Sequence, residues 1–257
     1  MKKIILKVIQ KLGYTLNKSD KSTVAEYKDI KDNEFWEIYN LCSPFTMTST
    51  ERMYALYNSV NYILNNNIKG DFVECGVWRG GSAMLIAKML NNKNITDRKI
   101  YLYDTFEGMV EPTKNDVDLI GKSASIIFQE KIVTNESSTW CLADLSDVKA
   151  NLKLTDFSEK NLVYIKGKVE NTIPQTVPNG SIALLRLDTD WYESTKHEMN
   201  YLYPKLENNG ILIIDDYGHW EGCKKAIDEY FSINNINILL NRIDYTCRVG
   251  IKILNKS

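Results

Sequence analysis

Two strongly apolar segments that each end in carboxylates constrain the fold of this chain most. The first is Ile182–Leu187, followed by Asp-Thr-Asp, and the second is Gly210–Ile214, followed by a pair of aspartates. Both have the length and β-branched content of buried parallel strands. Between them, Glu193–Leu206 has the spacing of an amphipathic helix closed by an Asn-Asn-Gly turn. This order predicts a β–α–β unit, whose crossover makes the strands parallel and brings both carboxyl ends to one edge of the sheet.

The carboxylates at this edge are candidate functional groups. They are Asp188, Asp190, Asp215 and Asp216. Open α/β sheets bind ligands at the carboxyl ends of their strands, and carboxylates at close range repel each other unless a cation or shared protons intervene. Because every donor is an oxygen, with no Cys or His among them, the set favours Mg²⁺, Mn²⁺ or Ca²⁺ over zinc. Helix capping and solvated turns are the alternative explanation, which suits one such aspartate better than two pairs.

The composition of the chain excludes several classes of protein. Its 257 residues are 44% hydrophobic and 25% charged, with a formal net charge of −1. This balance is typical of a globular domain and gives no electrostatic basis for binding nucleic acid. No apolar run reaches the length of a transmembrane helix. Five cysteines without a C-x-x-C pair are consistent with a reducing compartment, so we expect a cytoplasmic protein without an integral membrane segment.

The N-terminal region is predicted to be a helical extension, residues 1–66, in front of a single domain formed by residues 67–257. Apolar residues at helical spacing between Ile4 and Leu12 follow a basic start. They predict a helix that packs on its own domain or on a sister subunit, or else a basic amphipathic helix on a membrane surface. Further helices are predicted at Asn33–Cys42 and Ser49–Asn65. We expect a homo-oligomer.

Strands and helices alternate along the rest of the chain. The other predicted strands are Asp71–Gly76, Lys99–Asp104, Asn161–Gly167, Ile236–Ile243 and Arg248–Leu254, and the other helices follow the first strand or cover Ala143–Leu154 and Glu221–Phe231. The pattern predicts an α/β fold with a doubly wound, mostly parallel sheet and a terminal antiparallel hairpin, which is typical of class I methyltransferases. The polar stretch Val110–Trp140 is too long for a plain connection and is predicted to be an active-site lid.

A glycine-rich turn follows the first strand. Glu74 to Ser82 reads E-C-G-V-W-R-G-G-S, whose glycines allow a sharp turn and a close backbone approach at a helix N-terminus. It lacks the glycine spacing of a dinucleotide loop and the lysine of a Walker loop. A zwitterion such as S-adenosylmethionine fits better, with Glu74 near the amino group and Asp104 near the ribose hydroxyls. A tight structural turn is the alternative.

These segments together resemble the macrocin O-methyltransferase (TylF-type) family of bacterial sugar O-methyltransferases. The matching segments are GDFVECGVWRGGSA, YDTFEGM, TWCLADLSDVKANL, KGKVENTIP, LLRLDTDWYESTKHEMNYLYPKL and GILIIDDYGHWEGCKKAIDEYF. LDTDWYEST and IIDDYG are specific as a pair, whereas the glycine turn alone is not. Met109-Val110 stands where the family often has Leu-Pro, which affects a loop rather than the chemistry. Residues 1–40 and 235–257 contribute little to the resemblance.

The resemblance implies an S-adenosylmethionine- and Mg²⁺-dependent O-methyltransferase, with Mn²⁺ as the other candidate metal. Its acceptor would be a sugar hydroxyl on a glycan, a nucleotide sugar or a glycosylated natural product. The implied metal ligands are Asp188, Asp215 and Asp216, and the implied catalytic residues are Asp190, as the base, and Asp188. The implied cofactor-binding residues are Glu74, Gly76, Gly80, Gly81, Ser82, Asp104, Thr105, Phe106, Gly108 and Gly167.

The methyl acceptor has two candidate contact residues and more than one possible chemical class. His219 and Trp220, just past Asp216, are candidate sugar contacts, although a buried tryptophan at a helix start is an equal alternative. A second enzyme hypothesis keeps the fold and makes the acceptor a catechol-like phenol, which predicts an aromatic wall around the metal. The third hypothesis is a non-catalytic α/β binding module, which has no need of four converging carboxylates.

Overall fold

A seven-stranded sheet organises the part of the chain that the structure, a computed structural model, describes: residues 27–134 and 137–253. β3 and β4 form a separate two-stranded sheet. In chain order the strands of both sheets are β1 (Asp71–Cys75), β2 (Ile100–Asp104), β3 (Ile132–Thr134), β4 (Ser137–Ser138), β5 (Leu162–Lys166), β6 (Ile182–Leu187), β7 (Leu206–Ile214), β8 (Asn241–Arg242) and β9 (Arg248–Ile251). The sheet order is β5-β2-β1-β6-β7-β9-β8, parallel from β5 to β7 and antiparallel at β9 and β8. The predicted doubly wound sheet with a terminal antiparallel pair is confirmed.

In the described part of the chain, two helices precede β1 and the others lie between strands. They are α1 (Asn33–Cys42), α2 (Thr50–Asn65), α3 (Gly81–Asn92), α4 (Ala124–Lys131), α5 (Leu145–Lys153), α6 (Val169–Thr172), α7 (Tyr192–Tyr201) and α8 (Glu221–Ile233), with 3₁₀ turns at Ser43–Phe45, Glu159–Asn161 and Tyr203–Lys205. In residues 27–134 and 137–253, no helix has both the length and the apolar character of a membrane span.

The chain divides into two compact units, Met1–Trp36 and Glu37–Ser257, and the structure describes only residues 27–36 of the first. The predicted helix between Ile4 and Leu12 lies outside the described residues. The division into an extension of residues 1–66 and a domain of residues 67–257 stays a prediction.

The strand register places the carboxyl ends of three neighbouring strands side by side. Leu187, the last residue of β6, pairs with Cys75 of β1 on one side and with Ile214 of β7 on the other. Every residue of β6 is buried, as expected for a central parallel strand covered on both faces. Asp188 and Asp215, which follow these paired positions, therefore leave the sheet at the same level.

The predicted end of the helix after β6 is wrong. The helix was predicted to run to Leu206, but α7 ends at Tyr201 and β7 already begins at Leu206. Pro204 lies in the first positions of the intervening 3₁₀ turn, where its ring is tolerated but cannot continue an α-helix. Asn209, with φ of 64°, lies inside β7 where the pairing with β6 shifts register. The Asn-Asn-Gly sequence therefore marks a strand irregularity rather than the end of a helix.

The prediction for the last hairpin is also too long. β8 covers only Asn241–Arg242 instead of Ile236–Ile243, and β9 ends at Ile251, while Leu254 lies outside the described residues. The apolar side chains before β8 alternate toward the core, as they would in a strand. They pack over Gly250, where a Cβ would lie 2.9 Å from Ile238, so this segment contributes side-chain packing without strand pairing.

The stretch Val110–Trp140 contains α4 and the two-stranded β3–β4 sheet. Asp116 anchors its first part: this carboxylate is 0% exposed, accepts a hydrogen bond from the Tyr192 amide at 2.8 Å, and accepts two from Thr113 at 2.6 and 2.8 Å. The lack of a side chain at Gly222 of α8 leaves space for the Asp116 carboxylate, because a Cβ there would lie 2.2 Å from Asp116 Oδ1. Asp116 therefore caps α7 from a distant loop, and the mobility of the stretch stays a prediction.

We expect Asp116→Ala to lower the free energy of unfolding by about 2–4 kcal/mol, because it removes a negative cap from α7 and leaves buried donors unpaired. Asp144→Ala is the matched control and should cost less, since Asp144 caps α5 through the Asp147 amide on an exposed surface where water can replace the lost hydrogen bond. Denaturant titrations measure both values. A loss for Asp116→Ala no larger than for Asp144→Ala would contradict the anchoring role.

Candidate active site

A cavity of about 290 Å³ opens at the carboxyl edge of β1, β6 and β7. The predicted site residues that line it are Glu74, Gly76, Gly81, Ser82, Asp104, Gly108, Asp188, Asp190, Asp215, Asp216, His219 and Trp220. A smaller cavity of about 70 Å³ shares part of this lining and adds Thr105 and Gly167. Gly80 and Phe106 line neither cavity: Gly80 precedes α3 with φ of 88°, and Phe106 is buried. The structure thus gathers these lining residues at the carboxyl ends of five strands: β1, β2, β5, β6 and β7.

Three carboxylates at this edge form a compact set of oxygen donors. One oxygen each from Asp188, Asp215 and Asp216 lies within 4.8 Å of the others. Asp216 Oδ2 is buried and has no hydrogen-bond partner among the described residues. Burial, together with the neighbouring carboxylates, raises the pKa of Asp188 and of Asp216 well above the ordinary range. A divalent cation with a preference for oxygen ligands would relieve both the burial cost and the repulsion.

Sequence reasoning missed a buried guanidinium in the middle of these acids. Arg186, which is 3% exposed, lies in the otherwise apolar β6. Its Nη1 lies 2.6 Å from Glu74 Oε1 and 2.8 Å from Asp188 Oδ2, and its Nη2 lies 3.0 Å from Asp215 Oδ1. A charged residue within a buried apolar run was the available signal, because such a charge requires partners at the same depth.

A second arginine reaches the site from α2. Arg52 Nη1 lies 2.5 Å from Asp215 Oδ2, and its Nε lies 3.0 Å from Asp244 Oδ2 in the turn before β9. Ser49, which caps α2 through the Arg52 amide, also donates to Asp244. Nothing local in the sequence marks Arg52, since its partners are more than a hundred residues away. The helix α2 and the terminal hairpin therefore both contribute to the site.

Asp190 differs from the three clustered carboxylates. It lines the cavity but is not part of the compact donor set, and its φ of 66° lies in the left-handed region that aspartate tolerates better than most residues. Burial raises the pKa of Asp190 to about 7. The preceding Thr189 donates from Oγ1 to Glu198 Oε1 at 3.0 Å, which fixes the turn that carries Asp190. This position suits a group that exchanges a proton rather than one that holds a metal.

The loop after β1 is held tightly against β6. Gly76 has φ of 83°, and a Cβ there would lie 2.0 Å from the Asp188 carbonyl oxygen, so a side chain fits neither the conformation nor the space. Next to it, Glu74 is 1% exposed and its Oε2 has no hydrogen-bond partner among the described residues. Burial raises the pKa of Glu74 to about 7, and Arg186 opposes that rise. A buried acceptor therefore faces the cavity beside the N-terminus of α3.

Asp104, at the end of β2, joins two loops. Its Oδ2 accepts hydrogen bonds from the amides of Val77 at 2.7 Å and Trp78 at 3.2 Å, and its Oδ1 accepts one from Phe106 at 2.6 Å. Burial raises the pKa of Asp104 while these amide hydrogen bonds lower it. The two amides occupy both acceptor sites of Oδ2, so the remaining acceptor capacity lies on Oδ1.

The proposed acceptor side is aromatic. The ring centroids of Trp191 and Trp220 are 5.1 Å apart, and the Trp140 centroid lies 5.6 Å from that of Trp191 and 6.3 Å from that of Trp220. The His219 ring lies 4.7 Å from Trp220, its Nδ1 is buried without a partner among the described residues, and burial lowers the pKa of His219, which favours a neutral ring. Trp140 and Trp220 both line the larger cavity, although Trp220 is only 5% exposed.

The sequence profile of the macrocin-O-methyltransferase (TylF) family matches residues 2–250. The chain belongs to this family. Membership makes the protein an O-methyltransferase of the macrocin-O-methyltransferase family and implies S-adenosylmethionine as the methyl donor. Membership in a family of enzymes argues against the hypothesis of a non-catalytic binding module.

Individual macrocin-O-methyltransferase relatives extend this result. The demethyldecarbamoylnovobiocin O-methyltransferase of Streptomyces niveus is 31% identical over 185 residues, which are 72% of this chain and 67% of that protein. A tetracenomycin-C 4'-O-methyltransferase of Streptomyces olivaceus, whose full name specifies a dimethoxy-rhamnosyl substrate, is 31% identical over 78% of this chain and 73% of that protein. The solved O-methyltransferase NovP superposes with a TM-score of 0.72 at 27% identity, over 82% of this chain and 83% of that one.

Proposed function

We propose that this protein transfers the methyl group of S-adenosylmethionine to a sugar hydroxyl of a small molecule or glycan, with Mg²⁺ or Mn²⁺ as a required metal. The observation that carries the proposal is a single cavity in which the loops after β1 and β2 meet the three-carboxylate set after β6 and β7. The Streptomyces olivaceus relative, whose name specifies a rhamnosyl substrate, supports the sugar acceptor. Cytoplasmic localisation and homo-oligomeric assembly stay predictions.

The residues after β1 suit the amino-acid portion of the methyl donor. A zwitterion needs an anionic partner for its ammonium group and donors for its carboxylate. Glu74 offers the buried unpaired Oε2, and the amides at the start of α3, from Gly81, offer the donors. Asp104 and the smaller cavity, with Thr105 and Gly167, would hold the ribose and the base.

The chemistry assigns separate tasks to the carboxylates. Asp188, Asp215 and Asp216 would hold the metal, which when bound lowers the pKa of the acceptor hydroxyl. Asp190 takes the hydroxyl proton onto its carboxylate as the new oxygen–methyl bond forms. The sulfur–methyl bond breaks at the same time, and the sulfonium becomes a neutral thioether. Because this is an in-line displacement, the fixed loops after β1 and β6 contribute mainly by aligning the reactants.

We expect Asp104→Ala to weaken binding of S-adenosylmethionine by about 1.5–3 kcal/mol, because it removes charge-assisted hydrogen bonds to the ribose. The substitution also leaves three loop amides unpaired, so calorimetry of cofactor binding needs a parallel thermal-unfolding measurement. Asp71→Ala is the control: Asp71 accepts a hydrogen bond from the Lys99 amide at the opposite end of β1, and its loss should leave cofactor affinity unchanged. Equal cofactor affinities for the Asp104 variant and the wild type would contradict a role of Asp104 in binding the ribose.

The test of the function is a methyl-transfer screen. S-adenosylmethionine and Mg²⁺ would be supplied with glycosylated natural products, nucleotide sugars, free glycans and a simple catechol, and methylated products would be detected by mass spectrometry. The aromatic wall that includes Trp140 and Trp220 is the observation that keeps a catechol-like acceptor as the second candidate. Transfer to a glycoside and not to catechol supports the proposal, whereas transfer to catechol alone overturns the sugar acceptor.

A further inference from the structure

We propose that Arg186 is a positioning residue that couples the cofactor site to the metal site, so that occupation of the metal site weakens the hold of Glu74 on the cofactor. The inference rests on the proposed function, since it concerns the same two sites. Arg186 Nη1 lies 2.6 Å from Glu74 Oε1 and 2.8 Å from Asp188 Oδ2. A single nitrogen therefore connects a proposed cofactor residue with a proposed metal ligand.

Because Arg186 and Glu74 are buried, the ion pair between them is strong enough to link the two sites. The Arg186 side chain is 4% exposed and that of Glu74 is 1% exposed, so both groups are largely shielded from bulk water. Close ion pairs in such surroundings are screened far less than pairs on the surface. A change in the charge on one partner of Arg186 should therefore change the strength of its ion pairs with the other partners.

The sign of the coupling follows from the partner set. Arg186 has three carboxylate partners: Glu74, Asp188 and Asp215. A dication held by the two aspartates takes up their negative charge and weakens their attraction for the guanidinium. The guanidinium then binds Glu74 more strongly, and less of the Glu74 charge is available to the ammonium group of the cofactor. Metal binding should thus weaken cofactor binding, and by linkage the cofactor should weaken metal binding by the same factor.

Arg52 provides an internal comparison. It contacts Asp215 at 2.5 Å and Asp244 at 3.0 Å, so it also lies beside the proposed metal ligands. Within residues 27–134 and 137–253, the ion pairs of Arg52 do not include Glu74. Replacing Arg52 should change the affinity for metal without changing the coupling between the two sites.

The experiment is calorimetry of S-adenosylhomocysteine binding to the full chain, with and without saturating Mg²⁺. S-adenosylhomocysteine is the right probe because its sulfur is neutral, which removes direct repulsion between a sulfonium and the metal. We expect Mg²⁺ to raise the dissociation constant about fivefold or more in the wild type. Arg52→Lys should show the same factor, and Arg186→Lys should bring it close to one, because a lysine ammonium cannot span three carboxylates as a guanidinium does.

A thermal-unfolding measurement shows whether each variant is folded. If Arg186→Lys does not fold, Glu74→Gln replaces it, since it leaves Arg186 with the aspartates and removes the anion at the cofactor end, so the factor should again approach one. Mg²⁺ binding without any change in S-adenosylhomocysteine affinity overturns this inference and leaves the proposed function intact. A factor that persists in folded Arg186→Lys overturns the assignment to Arg186. Failure of Mg²⁺ to bind the wild type overturns the metal in the proposed function, and the coupling with it.

Discussion

Asp190→Asn is expected to lower the rate of methyl transfer by about 10²–10⁴, the usual contribution of a general base, while Mg²⁺ and cofactor binding persist. The amide keeps the shape of the side chain but cannot accept the hydroxyl proton. Asp190 lies in the cavity two residues beyond Asp188 and outside the compact donor set, so its loss should leave the metal ligands in place. Single-turnover assays measure the rate, and calorimetry measures both affinities. The residual rate should rise with pH as hydroxide replaces the missing base.

Asp188→Asn is the matched comparison for this prediction. Asp188 shares the donor set with Asp215 and Asp216, so its amide variant should bind metal more weakly and recover part of its rate in excess Mg²⁺. Asp190→Asn should show no such recovery. The opposite pattern of rescue would exchange the two roles, and normal rates for both variants would place the chemistry elsewhere.

Removal of divalent metal is expected to abolish methyl transfer while cofactor binding continues. Without a cation, the three clustered carboxylates repel each other and the acceptor hydroxyl keeps its ordinary high pKa. The cofactor loops follow β1 and β2, whereas the metal set follows β6 and β7, so the cofactor retains most of its contacts. Binding should become tighter if Arg186 couples the sites as proposed.

The measurement for this prediction is transfer by protein treated with excess chelator and then dialysed, beside calorimetry with S-adenosylmethionine. The control is restoration of the rate when Mg²⁺ is added back, since a denatured sample would not recover. Full activity of the metal-free protein would contradict the metal requirement, and loss of cofactor binding would show that the two sites are not separable.

The sequence predicted the elements whose determinants are local. The run Ile182–Leu187 is apolar apart from Arg186 and is followed by Asp-Thr-Asp, and the structure keeps it as β6 and its carboxyl-end loop. The crossover rule then brings Asp188 and Asp215 to one edge, and the register of β6 with β7 places them there. Where local signals competed, the prediction failed: Pro204 ended α7 early, and the alternating apolar residues before β8 packed without pairing.

The sequence by itself determined the parallel α/β order and the convergence of acidic residues at one edge, because periodicity, chain direction and crossover handedness are fixed by residues close in sequence. Only the tertiary structure decided which basic side chains pair with these acidic residues, and which distant carboxylate caps α7. Arg52 meets Asp215 across 163 positions, Arg186 meets Glu74 across 112, and Asp116 caps Tyr192 across 76. Such contacts depend on how helices and loops pack around the finished sheet, and the penalty for an unpaired buried charge selects them there.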